Sequence, residues 1–523
     1  MEAGFPSRFP RVTRTDRVSD RFLTSEAGQL GVNNAVTESK RTHDLRSVEV
    51  EAMTADKHDR DGHHRWDLTW LGSDRVLARR VARPVARFLR IEAASGVLMV
   101  LGTAVALVWF NVAAHSYESF WATELAVEIG AFHLDLTLHE WVNDGLMALF
   151  FFVVGMEIKR EVVSGELRDP RAAALPIIAA LGGMVAPALL YTAFNLGGEG
   201  SNGWGIPMAT DIAFAVGVVS LLGARVPVQL KLFLLTLAVA DDLGGIGVIA
   251  IFYSDGLHLG WLAGALFLFG SMYGLRRLGV WFFPLYVVLG AIAWYCLLRS
   301  GVHATIAGVV IGFLTPTRPL RPSVDADGIA ARLESQAELS AAEVKHASFL
   351  IRESVPVDQR LMDLLHPWTS FLIIPVFALA NAAIPLDAAA LSEAATSSIT
   401  WGVVLGLLVG KTVGISVMSW LAIRLGVARM PRGATPLHML GTATAAGIGF
   451  TVAIFITGIS LTDLGLQEDA KIGIFAASIA AAIGSALILA TAHRRASPIE
   501  QALEQREEAE LFAEEPSDVV SPA

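Results

Sequence analysis

Asp241 and Asp242 stand side by side in an apolar run, 232–252, that is long enough to cross a bilayer and otherwise uncharged. A carboxylate at membrane depth costs about 2.5–3.5 kcal/mol on insertion scales, so it must face water, a cation or a proton. Two adjacent carboxylates demand a use, and an intramembrane charge marks a transport path by default. Composition agrees with a membrane setting. Hydrophobic residues make up 53% of the chain, charged residues 17%, and the mean hydropathy is +0.52, too apolar for a soluble enzyme. No basic stripe with interleaved aromatics offers itself to nucleic acid. The single cysteine, Cys296, excludes an intramolecular disulfide.

The expected fold class is an all-α polytopic membrane protein. Residues 1–82 read as a polar, disordered tail without a signal-peptide core, and a basic cluster at its end, Arg79, Arg80, Arg83, Arg87 and Arg90, acts as a topology anchor before the first apolar run. Residues 83–495 form the membrane domain, and 496–523 an acidic tail with a short helix expected near 500–512. Between the tails, apolar length and Gly, Pro and charge punctuation give twelve expected spans. They run approximately 93–112, 137–158, 172–194, 204–222, 230–253, 259–275, 279–298, 302–315, 366–384, 400–423, 436–461 and 472–491. Loops on the amino-terminal side carry nearly all the basic residues, among them Lys159, Arg168, Arg225, Arg276 and Arg424, whereas the opposite loops hold only Arg299 and Lys471. That bias places both termini in the cytoplasm. A cytoplasmic loop, 316–360, divides the two halves and carries an expected helix near 330–352.

One outer loop is informative. Residues 125–136 alternate apolar and polar around Gly130, with Phe132, Leu134 and Leu136 on one face and His133 and Asp135 on the other. The period fits a hairpin or an ordinary loop. A lone hairpin is marginal in water and would need a partner, such as its copy in a second subunit.

Two spans look broken. The fourth has Gly205, Pro207 and Gly217 around Thr210 and Asp211; the eleventh has Gly441, Gly447 and Gly449 among Thr442, Thr444 and Thr451. Interrupted helices in matching positions of two halves point to inverted repeats around a midplane site. Asp211 would balance the positive helix ends there, and Lys411, the only charge in 400–423, the negative ones.

Neighbouring helix residues point about 100° apart, so Asp241 and Asp242 cannot share one task. One would hold a cation and the other would pair with Lys411. Burial and pairing act in opposite senses on protonation, which brings proton exchange at working pH within reach. A carboxylate holding either a proton or a hard cation makes the two compete, and competition with alternating access is antiport. Asp242, with Thr210 and backbone carbonyls, suits Na+ or Li+. No cofactor is expected. His303 and His366 read as helix-end residues whose best use would be pH sensing.

Several stretches together resemble the NhaA family of bacterial Na+/H+ antiporters over about 84–495. They are Asn143-Asp144, Gly155-Met156-Glu157-Ile158-Lys159-Arg160-Glu161, Ala209-Thr210-Asp211, Asp241-Asp242-Leu243-Gly244, Ser300-Gly301-Val302-His303, His366-Pro367-Trp368, Gly410-Lys411 and Gly447-Ile448-Gly449-Phe450-Thr451. The resemblance implies twelve spans with inverted repeats and exchange of two protons per Na+ or Li+, serving sodium and pH homeostasis. It also implies Asp242 as cation ligand, Asp241 paired with Lys411, and Asp211 and Thr210 in the crossing. Asp144 would stand near the cytoplasmic funnel, in ion uptake. Glu157, Arg160, Glu161 and His366 would belong to the pH response, and a homodimer would form through the 125–136 hairpin. Met362-Asp363 departs from the Glu-His pair that some members carry there.

Two other readings remain at this level. An intramembrane aspartyl protease would pair Asp211 with Asp242, but it leaves Lys411 unused and lacks a Gly-x-Gly-Asp signature. A passive cation channel would carry current without compulsory proton movement.

Overall fold

The structure is a computed structural model that describes residues 93–129, 132–254, 256–280, 282–317 and 340–495. The expected tails, 1–82 and 496–523, and the first part of the expected loop helix, 330–339, lie outside the described residues. In hydrocarbon no water is present to satisfy backbone groups, so long apolar segments close their own bonds as helices. Seven described helices are long and apolar enough to cross a membrane, or nine if two bent pairs each count as one. Their outer faces are apolar and open, as at Val108, Val112, Phe267 and Leu487, a surface that suits lipid.

Helix α1 (Ala93–Trp121) breaks its regular backbone at Ala113 and leads into β1 (Glu124–Ile129) and β2 (Phe132–Thr137). The strands pair antiparallel with Leu125 opposite Leu136 and Val127 opposite Leu134, so 125–136 is a hairpin. Leu134 and Leu136 are buried, while His133 sits on the exposed side 3.1 Å from Glu128 and 2.5 Å from Asp135. A Thr137 to Glu140 capping box turns the chain into a helical turn, Leu138–Glu140. A π-turn, Trp141–Leu146, then joins it to α2 (Met147–Val163).

Asp169 caps α3 (Pro170–Asn195) with Pro170 at its first position. A glycine-rich 3₁₀ segment, Glu199–Met208, is followed by α4 (Ile212–Leu221), α5 (Val228–Phe252), α6 (Leu259–Arg277), α7 (Phe283–Ser300) and the short α8 (Thr305–Leu314). Helix α9 (Ala341–Ser354) supplies the described part of the loop helix, and α10 (Val357–Trp368) runs through a π-turn, Thr369–Ile373, into α11 (Ile374–Asn381). The loop helices are tied by Arg360, whose guanidinium grips the buried Glu353 carboxylate at 3.1 and 3.4 Å. Next come α12 (Ala388–Thr396), α13 (Ser398–Leu405), a π-turn Gly406–Gly410, α14 (Lys411–Arg424), α15 (Pro436–Ala445), α16 (Phe450–Ser460) and α17 (Leu464–Arg495).

Two close approaches position the centre. Helices α3 and α14 cross so tightly that a Cβ on Gly182 would lie 2.3 Å from the Gly414 carbonyl oxygen, and one on Gly414 would lie 2.2 Å from that of Gly182. In the π-turn before Lys411, a Cβ on Gly410 would lie 2.7 Å from Pro187 Cα. Only glycine lets these backbones meet, and the meeting brings Lys411 under the break between Met208 and Ile212.

Candidate functional site

Both expected breaks are present. The 3₁₀ segment and α4 are bent by 46° across Ala209 to Asp211, and α15 and α16 by 48° across Ala446 to Gly449. The breaks touch: the Asp211 N–H donates to the Ile448 carbonyl at 2.6 Å. Gly447 and Gly449 permit this contact, since a Cβ on Gly447 would lie 2.5 Å from the Leu407 carbonyl and one on Gly449 would lie 2.9 Å from that of Ala209. Gly217, by contrast, sits inside α4 with open space beside it and takes no part in the break.

Asp211 serves two helix starts. Its Oδ1 caps α4 by accepting the Phe214 N–H at 3.1 Å, and its Oδ2 accepts both the N–H and the hydroxyl of Thr451, at 3.1 and 2.7 Å, in the first turn of α16. Unsatisfied N–H groups and the positive ends of two helices therefore meet one buried carboxylate. The sequence showed Thr451 only as a polar residue beside the break; its bond to Asp211 required the two halves to be docked.

Lys411 pairs with Asp241 and does not balance the negative helix ends directly. Its ammonium, fully buried, donates to Thr210 Oγ1 and to Asp241 Oδ2, not to the free carbonyls of the helix ends. Those carbonyls are reached through Thr210, whose hydroxyl lies 3.1 Å from the Ala446 carbonyl and 2.7 Å from Asp241 Oδ2. The physical reason is reach and charge: a carboxylate one helix away binds an ammonium more strongly than a neutral carbonyl does. Asp241 keeps its second oxygen, Oδ1, buried without a hydrogen-bond partner among the described residues.

Asp242 is unlike its neighbour. It is only half-buried, and among the described residues its carboxylate receives no hydrogen bond or ion pair. The helical turn between adjacent residues separates the two side chains. Thr210 stands with Asp241 and not with Asp242, so the expected grouping of Thr210 with Asp242 around one cation does not occur in this conformation. Asp211 and Asp242 share no hydrogen bond either, and the paired-carboxylate arrangement of an aspartyl protease is missing among the described residues.

The remaining candidates lie along α2. Asp144 falls in the π-turn before it, half-buried, with its carbonyl accepting the Trp294 indole N–H at 2.8 Å. Glu157 pairs with His366 Nε2 at 3.3 Å, Arg160 is exposed, and the Glu161 carboxylate lies against Gly165. Asp144 and Glu157 are separated by about 20 Å of helix at 1.5 Å per residue. Asp144 lies toward the hairpin end of its helix, opposite the end that carries Glu157 and Glu161. At the positions of the missing Glu-His pair, Met362 is buried against Val153 and Met156 and Asp363 is exposed.

The chain matches the family model described as Na+/H+ antiporter 1 over residues 86–489. It is 46% identical to the Na(+)/H(+) antiporter NhaA 3 of Frankia alni over 416 residues, 79% of this chain and 90% of that protein. It is 46% identical to the Na(+)/H(+) antiporter NhaA of Rhodopirellula baltica over 422 residues, covering 79% and 95% of the two chains. The Na(+)/H(+) antiporter NhaA of Oleidesulfovibrio alaskensis is 42% identical over 441 residues, covering 81% and 96%. A match of this extent, on a helical membrane architecture with charged residues buried at two meeting helix breaks, makes the chain a multi-pass membrane protein and a transporter, not an enzyme, belonging to the NhaA family of Na+/H+ antiporters.

Proposed function

We propose that this protein exports Na+ or Li+ from the cytoplasm in exchange for protons, two per cation, and so serves sodium and pH homeostasis. The observation that carries the reading is the buried Lys411, Asp241 and Thr210 cluster beside a half-buried, unbonded Asp242, at the point where two broken helices meet. Asp242 is the carboxylate free to exchange ligands. A cation arriving there competes with a proton, and the Lys411 to Asp241 pair can change its protonation in the same step, which gives the two proton-carrying groups that the stoichiometry asks for. A carboxylate oxygen ligand at Asp242 suits a small hard cation.

The proposed architecture is twelve spans in inverted repeats, with the bent pairs as discontinuous crossings and both termini in the cytoplasm of the inner membrane. Residues 1–82 and 496–523 are the cytoplasmic tails of that arrangement. Helices Leu138–Val163, Leu259–Arg277 and Thr305–Leu314 supply the spans beyond the long apolar ones. Asp144 would guide ions on the hairpin side, and Glu157, Arg160, Glu161 and His366 would set the pH response. The hairpin would join two copies through its exposed edge.

The test uses everted vesicles that lack other antiporters, a pH-sensitive dye, and Na+ or Li+ added after respiration has acidified the lumen. Cation-dependent dequenching by the wild type and none by Asp242→Asn supports exchange at this site. No dequenching with folded protein present would refute it, and current without proton movement would indicate a channel.

A further inference from the structure

His139 stands at the hairpin end of the helix that carries Asp144 and Glu157, and it joins a closed set of side-chain bonds. Its Nε2 lies 3.1 Å from Asn381 Oδ1, at the end of α11, and the Asn143 amide nitrogen lies 3.2 Å from each of its ring nitrogens. Asn143 and Asn381 also bond each other reciprocally: Asn381 Nδ2 donates to Asn143 Oδ1 at 2.9 Å, and Asn143 Nδ2 donates to Asn381 Oδ1 at 3.3 Å. Asn381 Nδ2 donates as well to the Phe377 carbonyl at 3.1 Å, which fixes the orientation of that amide.

The donor and acceptor roles follow. Asn381 Oδ1 can only accept, so His139 Nε2 carries the hydrogen; Asn143 Nδ2 can only donate, so His139 Nδ1 must be bare. A second proton on the ring turns Nδ1 into a donor facing a donor, and Asn143 must then let go of the ring or of Asn381. The imidazole is exposed at the hairpin end of its helix. The charged groups around it are Lys471 from α17 and Glu140 on its own turn. Asp144 lies one turn further along, and Glu468 accompanies Lys471.

This clasp has a route to the crossing. Phe151 of α2 and Phe377 of α11 both pack on Phe455, at ring separations of 5.4 and 6.3 Å, and Phe455 belongs to α16, whose first turn is held by Asp211. Helices fastened by Asn143 and Asn381 are thus the two that brace the outer part of the broken pair. We infer that His139 is a positioning residue through which acid on the hairpin side unfastens α2 from α11 and slows cation exchange. The inference rests on the antiport reading and its orientation, and it is separate from the Glu157 to His366 pair at the opposite end of α2.

The experiment reconstitutes the full chain in liposomes of fixed orientation and follows 22Na+ exchange while the pH on the hairpin side alone is varied. His139→Gln keeps a donor and an acceptor but cannot take up the proton, and His139→Arg is a donor at every pH. Wild-type exchange should fall about threefold more than that of His139→Gln when the hairpin-side pH drops from about 8 to about 5.5, and His139→Arg should be slow throughout. Backbone hydrogen exchange of 138–146 and 377–384, compared between wild type and His139→Gln at the same acidic pH, should be faster in the wild type. Superimposable pH profiles or equal hydrogen exchange would overturn the clasp. A hydrogen-exchange difference in a protein that moves no Na+ would keep the clasp and refute the antiport reading instead.

Discussion

Removing one partner of the Lys411 to Asp241 pair should cost far more than removing both. The pair is dry, with side-chain exposures of 0% and 1%, and among the described residues Asp241 holds two bonds, from Lys411 and from Thr210, with Oδ1 unpartnered. In Lys411→Met the methionine fills the volume but leaves a buried carboxylate with one neutral hydrogen bond. Breaking such a pair from one side costs about 3–5 kcal/mol. The lower figure is expected, because an orphaned carboxylate takes up a proton rather than remain charged. Asp241→Asn leaves the ammonium with two neutral acceptors and should cost about as much. The double variant removes both charges and retains an amide beside Thr210, so its cost should be about 1 kcal/mol and the coupling energy about 5 kcal/mol. The assay is reversible unfolding in mixed detergent at fixed pH across the four proteins. Single effects that add to within about 0.5 kcal/mol, or a double variant that is the least stable of the four, would refute the claim that a buried charge pair holds this crossing.

The neighbouring aspartate should behave in the opposite way: Asp242→Asn, which breaks no hydrogen bond, should shift stability by no more than about 0.5 kcal/mol in the same unfolding assay while abolishing Na+-dependent proton movement in vesicles. The Glu157 to His366 ion pair exists only while the imidazole is protonated, so it is present in acid and lost as pH rises; His366→Gln should flatten or displace the pH dependence of exchange by about half a unit or more, and an unchanged profile would make the pair incidental. At the α3 to α14 crossing, Gly182→Ala should destabilise by about 1–3 kcal/mol because its Cβ meets a carbonyl oxygen at 2.3 Å, whereas Gly217→Ala, with open space beside it, should be neutral or slightly stabilising by thermal denaturation.

How much of this was legible beforehand differs from residue to residue. Apolar length and punctuation located the helices, because a backbone in hydrocarbon has few ways to satisfy itself, and each of the long apolar helices falls on an expected span. The two breaks were legible for the same reason: Gly and Pro beside threonines and an aspartate in otherwise apolar runs cannot continue a plain helix. The alternation in 125–136 was compatible with either a hairpin or a loop, and the pairing of Leu125 with Leu136 decided it.

What the sequence by itself determined is that buried charges exist and require partners, since an unpaired charge in hydrocarbon is too costly to persist. The pairing of Lys411 with one of the two aspartates was expected; the contacts that Thr210 and Thr451 add were a tertiary matter. Lys411 turned to Asp241 and Thr210 because the glycine contacts of α14 with α3 set its height, and Thr451 reached Asp211 from 240 positions away only because the two breaks dock. The direction of Asp144, toward the hairpin end and away from Glu157, likewise follows from the helix that carries both. Spacing along a chain fixes which face of one helix a residue occupies. It does not fix which other helix lies against that face, and the chemistry of this site depends on that contact.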